Sequence, residues 1–132
     1  KIEYFSNSEL VSHLQKTQMR CLDFETFLQE YKPALNDFMF LDPPYDTEFS
    51  TYANNTFDKQ DQDRLAEYLK TKCDCYFMLI IKKSDYILSL YKDGDCDKNG
   101  RPIQICKFDK KYFVSFQNRN NKDAEHLVIT NY

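Results

Sequence analysis

The sequence predicts an α/β fold: a mainly parallel sheet flanked by helices and closed at its C-terminal end by an antiparallel hairpin. Three observations predict it. Two short apolar runs, Phe38-Met39-Phe40-Leu41 and residues 76–81, have the length and bareness of strands buried in a parallel sheet. Segments of helical spacing alternate with these runs. The end of the chain holds two further strand-like segments, 111–116 and 127–130, around the polar loop 117–125.

Each element has a local reason. Residues 9–16 carry Leu10, Val11 and Leu14 at helical spacing, with Ser8 placed to cap the helix. Residues 19–22 form a short strand candidate. Phe24, Phe27, Leu28 and Tyr31 mark a second helix, which Pro33 ends because the residue before a proline is pushed out of the helical region. The run 37–41 is a strand, and 46–57 a loop rich in Thr, Asn and Ser. Asp58 caps a helix reaching about Thr71, with Asp61 and Asp63 where acids complement the helix dipole. Its buried stripe is Leu65, Tyr68 and Leu69. The continuous run 76–81 suits a strand covered on both faces, residues 84–91 return to helical spacing, and 92–102 form a charged loop.

At 132 residues the chain predicts one domain with a modest core. Hydrophobic residues at 42% and aromatics at 16% mark it as globular, not disordered. No stretch approaches the roughly 18–20 apolar residues that a membrane span needs. The net charge of −3 is not that of a globally basic protein, so contact with a polyanion has to come from local patches or from outside this chain. Five cysteines, odd in number and irregularly spaced, argue against paired disulfides and for a reducing, cytoplasmic setting. Cys73-x-Cys75 lacks the two-residue gap of zinc or redox pairs, and two histidines are too few for a histidine-rich metal site, so no metal is expected.

The most informative residues are Asp42-Pro43-Pro44-Tyr45, directly after the apolar run 38–41. Catalytic and ligand groups of open α/β sheets gather past the carboxyl ends of strands. Each proline fixes its own φ and removes an N–H donor. The product is a stiff turn with outward carbonyls, one carboxylate and a ring ready to stack, a set suited to a planar base with an exocyclic amine. Asp-Pro and Pro-Pro also occur in ordinary surface turns.

On these four residues the chain resembles the amino-methyltransferases of DNA, and in particular the Dam-like adenine methyltransferases with their Asp-Pro-Pro-Tyr motif. The likeness continues in Tyr52, Phe57 and Asp61-Gln62-Asp63-Arg64-Leu65-Ala66, similar to the loop and helix after that motif. Leu22-Asp23-Phe24 resembles the strand end that holds the cofactor's adenine, and His126-Leu127-Val128-Ile129-Thr130-Asn131-Tyr132 resembles the last strand. The family's aromatic-x-Gly-x-Gly loop, its ribose-holding acid and its target-recognition region have no counterpart here; the only glycines are Gly94 and Gly100. Where relatives often carry Ser-Asn after the fifth strand, this chain has Lys82-Lys83-Ser84.

The resemblance implies the C-terminal part, residues 1–132, of a methyltransferase catalytic domain. Its fold would be a partial Rossmann-like sheet lacking the first two strands, with the strand ending at Leu22 third and the one ending at Leu41 fourth. That map leaves a sheet edge exposed beside 38–41, or filled by a rearranged or partner-supplied pairing. The implied activity is methyl transfer from S-adenosylmethionine to the N6 amine of adenine in double-stranded DNA, as in restriction–modification or orphan systems. Asp42 and Pro43 would orient the amine, Pro44 would stiffen the turn, and Tyr45 would stack on the flipped base. Asp23, Phe24 and Asp42 would meet the cofactor. Asp23 and Phe24 equally fit an N-cap and a core aromatic. Tyr52 and Phe57 would line the base pocket or simply pack, and Arg119 and Lys122 would touch phosphates or solvent.

The isolated chain is expected to be inactive without the missing N-terminal half. Cytosine N4, RNA adenine and a protein amide remain open as acceptors, and so does a non-catalytic remnant serving as a binding module. Target sequence and oligomeric state have no signal in these residues.

Overall fold

The structure, a computed structural model, describes residues 7–45, 51–52, 55–109 and 125–132. The chain forms two compact units, Lys1–Lys32 and Pro33–Tyr132.

The first unit carries helices α1 (Ser8–Gln15) and α2 (Phe24–Tyr31). The cap of α1 is Asn7 and not Ser8: its side-chain oxygen accepts from the backbone of Glu9 at 2.9 Å and Leu10 at 3.2 Å. An asparagine one residue earlier satisfies the same orphan donors. Asp23 caps α2, accepting from Glu25 and Thr26. The helix closes at Lys32, which takes a left-handed φ of 42° ahead of Pro33 and still donates to the Leu28 carbonyl at 3.0 Å. Phe27 and Tyr31 stack with ring centroids 4.6 Å apart. Residues 19–22, expected as a strand, are not one, and Met19 stands 83% exposed. A strand exists only through a ladder, and no neighbour among the described residues offers one to this segment.

The second unit holds β1 (Phe38–Leu41), β2 (Thr51–Tyr52), β3 (Asn55–Thr56), α3 (Lys59–Thr71), β4 (Tyr76–Lys82), α4 (Asp85–Leu90), β5 (Gln104–Asp109) and β6 (Glu125–Thr130). The main sheet has four strands in the order β1-β4-β6-β5, and β2 and β3 form a small antiparallel pair inside the segment read as loop. β1 runs parallel to β4, from Phe38 opposite Tyr76 to Leu41 opposite Leu79. β6 is antiparallel to both β4 and β5.

The sheet is therefore mixed, and the expectation of a mainly parallel one is corrected. β1 and β4, with α3 between them, are the one parallel pair among the described strands, whereas β6 runs antiparallel to both of its neighbours. The closing antiparallel pair exists, but its first strand starts at Gln104, with Gln104 opposite Thr130 and Asp109 opposite Glu125. Residues 111–116 lie outside the described residues.

The core lies on one sheet face. Phe77, Leu79 and Ile81 of β4, with Leu127 and Ile129 of β6, are fully buried, as are Leu69 of α3 and Ile87 of α4. The opposite face of β4 alternates outward, so the strand is not covered on both sides as expected. There Phe38 is 55%, Phe40 59% and Tyr76 41% exposed, and Tyr132 meets Phe38 and Tyr76 edge-on. Among the described residues β1 pairs with β4 alone.

Polar bonds fasten the amino end of β4. Asn131 accepts from the Phe77 N–H at 2.9 Å and donates to the Cys75 carbonyl at 3.1 Å and to Asp97 at 2.9 Å. Arg101 donates to Asp97 at 2.7 Å and to the Asp74 and Cys75 carbonyls. The charged loop 92–102 is thereby tied to the sheet end opposite β1's carboxyl terminus.

Candidate active site

Strand β1 ends at Leu41, and the next four residues leave the carboxyl rim of the sheet. Asp42 is exposed and makes no hydrogen bond or ion pair among the described residues. Pro43, Pro44 and Tyr45 are half-buried. The Tyr45 ring meets His126 with centroids 5.3 Å apart and planes at 65°. Because His126 faces Lys82 across the β4–β6 ladder, the motif runs over the end of β4 to the start of β6.

Two elements hold this segment. Helix α3 starts with a capping box in which Asp58 accepts from Gln60 and Asp61, and Asp61 accepts from the Asp58 N–H at 3.0 Å. One turn on, the Gln62 amide donates to the Pro44 carbonyl at 3.0 Å. Gln62 is 1% exposed and His126 is fully buried. At the same rim Lys83 forms an ion pair with Glu125, and its N–H donates to the Glu125 carbonyl at 2.9 Å. The Lys83 ammonium, with Lys107 further off, holds the Glu125 carboxyl below its ordinary range.

The arrangement brings together an exposed carboxylate, a stiff run of carbonyls and a ring seated edge-on, at the rim where open α/β sheets carry their chemistry. Asp23 and Phe24 lie in the other unit, where Asp23 serves as a helix cap. Phe57 is half-buried just before the Asp58 cap, and Tyr52 falls in β2. Arg119 and Lys122 lie outside the described residues.

A protein-family model matches residues 4–125, and it describes the D12 class N6 adenine-specific DNA methyltransferases. The chain belongs to that family. Among proteins of this kind it is similar to the type II methyltransferase M.CviBI of Paramecium bursaria Chlorella virus NC1A, with 32% identity over 130 residues, covering 96% of this chain and 45% of the relative. It is also similar to the retron Ec67 DNA adenine methylase of Escherichia coli, with 32% identity over 98 residues, covering 70% of this chain and 34% of the relative. This D12-class chain thus spans less than half the length of the curated relatives it matches. No helix among its described residues is long and apolar enough to cross a membrane.

Two residues packed against residues 44–45 carried no functional reading in the sequence, Gln62 and His126. Gln62 had a legible signal. It shares the helical stripe of the buried Leu65, Ala66 and Leu69, and a polar residue on a core-facing stripe needs a partner. His126 had none, because its contact with Tyr45 joins segments far apart in the chain.

Proposed function

We propose that this chain is the C-terminal, motif-bearing part of the catalytic domain of a site-specific DNA methyltransferase that methylates the N6 amine of adenine in double-stranded DNA. The observation that carries the reading is the exposed Asp42 carboxylate beside the pinned Pro44 carbonyl and the seated Tyr45 ring. An adenine amine is a weak nucleophile because its lone pair is delocalised into the ring. Asp42 and the Pro43 carbonyl, both accepting its N–H bonds, favour a more tetrahedral nitrogen with an available lone pair. Tyr45 stacks on the extruded base, and most of the acceleration is orientation and electrostatics.

S-adenosylmethionine fits as donor, since a rim of carboxylate and carbonyl oxygens suits a sulfonium cation; when bound it supplies the electrophilic methyl group. Asp42 would lie near that cation. Asp23 and Phe24 would meet its adenine ring. As the amine nitrogen gains the methyl group it gives up one proton. Tyr52 and Phe57 would border the base pocket, and Arg119 and Lys122 would contact phosphates. This part alone is expected to be inactive, the rest of the enzyme completing the cofactor pocket in a reducing cytoplasm.

The test is methylation by the complete enzyme with radiolabelled cofactor, offered adenine-containing duplex DNA, cytosine-only DNA, RNA and protein. Label at adenine N6 that vanishes in Asp42→Ala supports the reading. Label elsewhere reassigns the acceptor, and failure of the complete enzyme to bind cofactor by calorimetry replaces the reading with a non-catalytic binding module.

A further inference from the structure

The two prolines of the motif can donate no backbone hydrogen bond, so residues 43 and 44 can be held only through their carbonyls. Their rings fix φ at both positions, and Pro44 restricts Pro43 to an extended ψ. The freedom left in the turn is the direction of the Pro44 carbonyl, which turns the Pro44–Tyr45 peptide and with it the Tyr45 ring. One described side chain removes that freedom: Gln62 Nε2 donates to the Pro44 oxygen at 3.0 Å.

Gln62 is itself well fixed. It is 1% exposed, on the same helical stripe as the buried Leu65, Ala66 and Leu69. The turn before it is set by the Asp58–Asp61 capping box, and the Tyr86 hydroxyl donates to the Lys59 carbonyl at 2.8 Å. Burying an amide N–H among apolar side chains is costly without a partner, and the Pro44 carbonyl is that partner, whereas Gln62 Oε1 is buried with no partner among the described residues.

We propose that Gln62 is a positioning residue for methyl transfer: it locks the Pro44–Tyr45 peptide so that the Tyr45 ring stands ready for the base. The proposal rests on reading residues 42–45 as the amine-holding turn. Gln62 touches no reacting atom and acts through the backbone. Its removal therefore lowers the rate of the chemical step while leaving DNA and cofactor binding in place.

The experiment uses the complete enzyme. Gln62→Met keeps the length and packing and removes the donor. Its kcat is expected to fall by about tenfold to hundredfold, a range set by small misplacements of reacting groups. Both KM values should stay within about twofold. Gln62→Glu should share that defect at alkaline pH and recover as the medium is acidified, because a buried carboxyl takes up a proton readily and then donates to the Pro44 oxygen. A packing role alone gives no acid recovery. An unchanged kcat in Gln62→Met, or a Gln62→Glu profile parallel to wild type, overturns the proposal.

A readout independent of catalysis separates this from failure of the functional reading. With Pro44 labelled at its carbonyl carbon, Gln62→Met should move that resonance upfield and broaden the Tyr45 ring signals. Unchanged spectra refute the positioning role even in an active enzyme. Changed spectra in an enzyme that does not methylate adenine uphold the lock and refute the functional reading.

Discussion

The ring of Tyr45 sits edge-on against His126, with centroids 5.3 Å apart and planes at 65°. This contact joins the last residue of the proline turn to the first rungs of β6, more than half the chain away. An edge-to-face aromatic pair contributes about 0.5–1.5 kcal/mol beyond the area it buries. His126 is fully buried, so removing its ring also leaves a cavity. His126→Ala should therefore lower stability by roughly 2–4 kcal/mol, and His126→Phe, which keeps an aromatic edge, should lose less. A double-mutant cycle of Tyr45→Ala with His126→Ala, read by urea denaturation, should return a coupling of about 0.5–1.5 kcal/mol. Additive losses would mean that the rings do not support each other.

Asp42 should behave in the opposite way. It is exposed and carries no bond among the described residues, so the fold does not depend on it. Asp42→Ala should change the denaturation midpoint by no more than about 0.5 kcal/mol equivalent. In the complete enzyme it should reduce kcat by about a hundredfold to a thousandfold, the usual loss when one electrostatic contact to a reacting group is deleted. A large loss of stability with little loss of rate would show that the carboxylate serves the turn and not the amine.

What the sequence makes legible here is what short-range chemistry decides. β1, α3, β4 and α4 follow from apolar runs and caps within a few residues of each other, and the Asp58 cap is local by nature. The proline turn is legible because proline restricts backbone without reference to neighbours. Strand pairing is a different matter. The Cys106 and Lys107 positions in β5 interrupt the alternation of Ile103 and Ile105 with Gln104, so the segment lacks a clean strand pattern, and only its six-residue register with β6 defines it. Residues 19–22 show the converse, a strand-like pattern with no partner strand among the described residues. Gln62 and His126 belong to the site through contacts with Pro44 and Tyr45 that no local window contains.

The cysteines divide by burial. All five are free thiols; Cys21, Cys96 and Cys106 are exposed, whereas Cys73 and Cys75 are fully buried with their sulfurs 3.6 Å apart. Burial, reinforced by the neighbouring Cys75, pushes the Cys73 thiol up to about 12, and burial raises Cys75 as well. The thiolate is the reacting species. An aromatic disulfide reagent at neutral pH should therefore release three equivalents from the native chain quickly and the remaining two only on unfolding. Fast release of all five would show that the start of β4 opens readily.

The bonds around Asp97 should make stability depend on acid. Its side chain is fully buried, and burial alone would raise its carboxyl pKa. Hydrogen bonds from the Arg101 backbone, the Asn131 amide, the Arg101 guanidinium and the Asn99 backbone outweigh burial and hold it below the ordinary value. A carboxyl lowered in the folded state binds fewer protons there than in the unfolded chain. Its contribution is thus present in full above the unfolded value of about 3.9, and is lost as pH falls through that value toward the lower folded one. Asp97→Asn removes the charge and leaves the Arg101 side chain, 16% exposed, without its counter-ion. At neutral pH the cost should be about 3 kcal/mol, as for other broken buried pairs. Measured by denaturant midpoints across the acid range, the gap between wild type and Asp97→Asn should be constant above about pH 5 and narrow steadily below it. A gap that widens on acidification would mean that Asp97 is already protonated in the fold, and that Arg101 is held by the carbonyls of Asp74 and Cys75 alone.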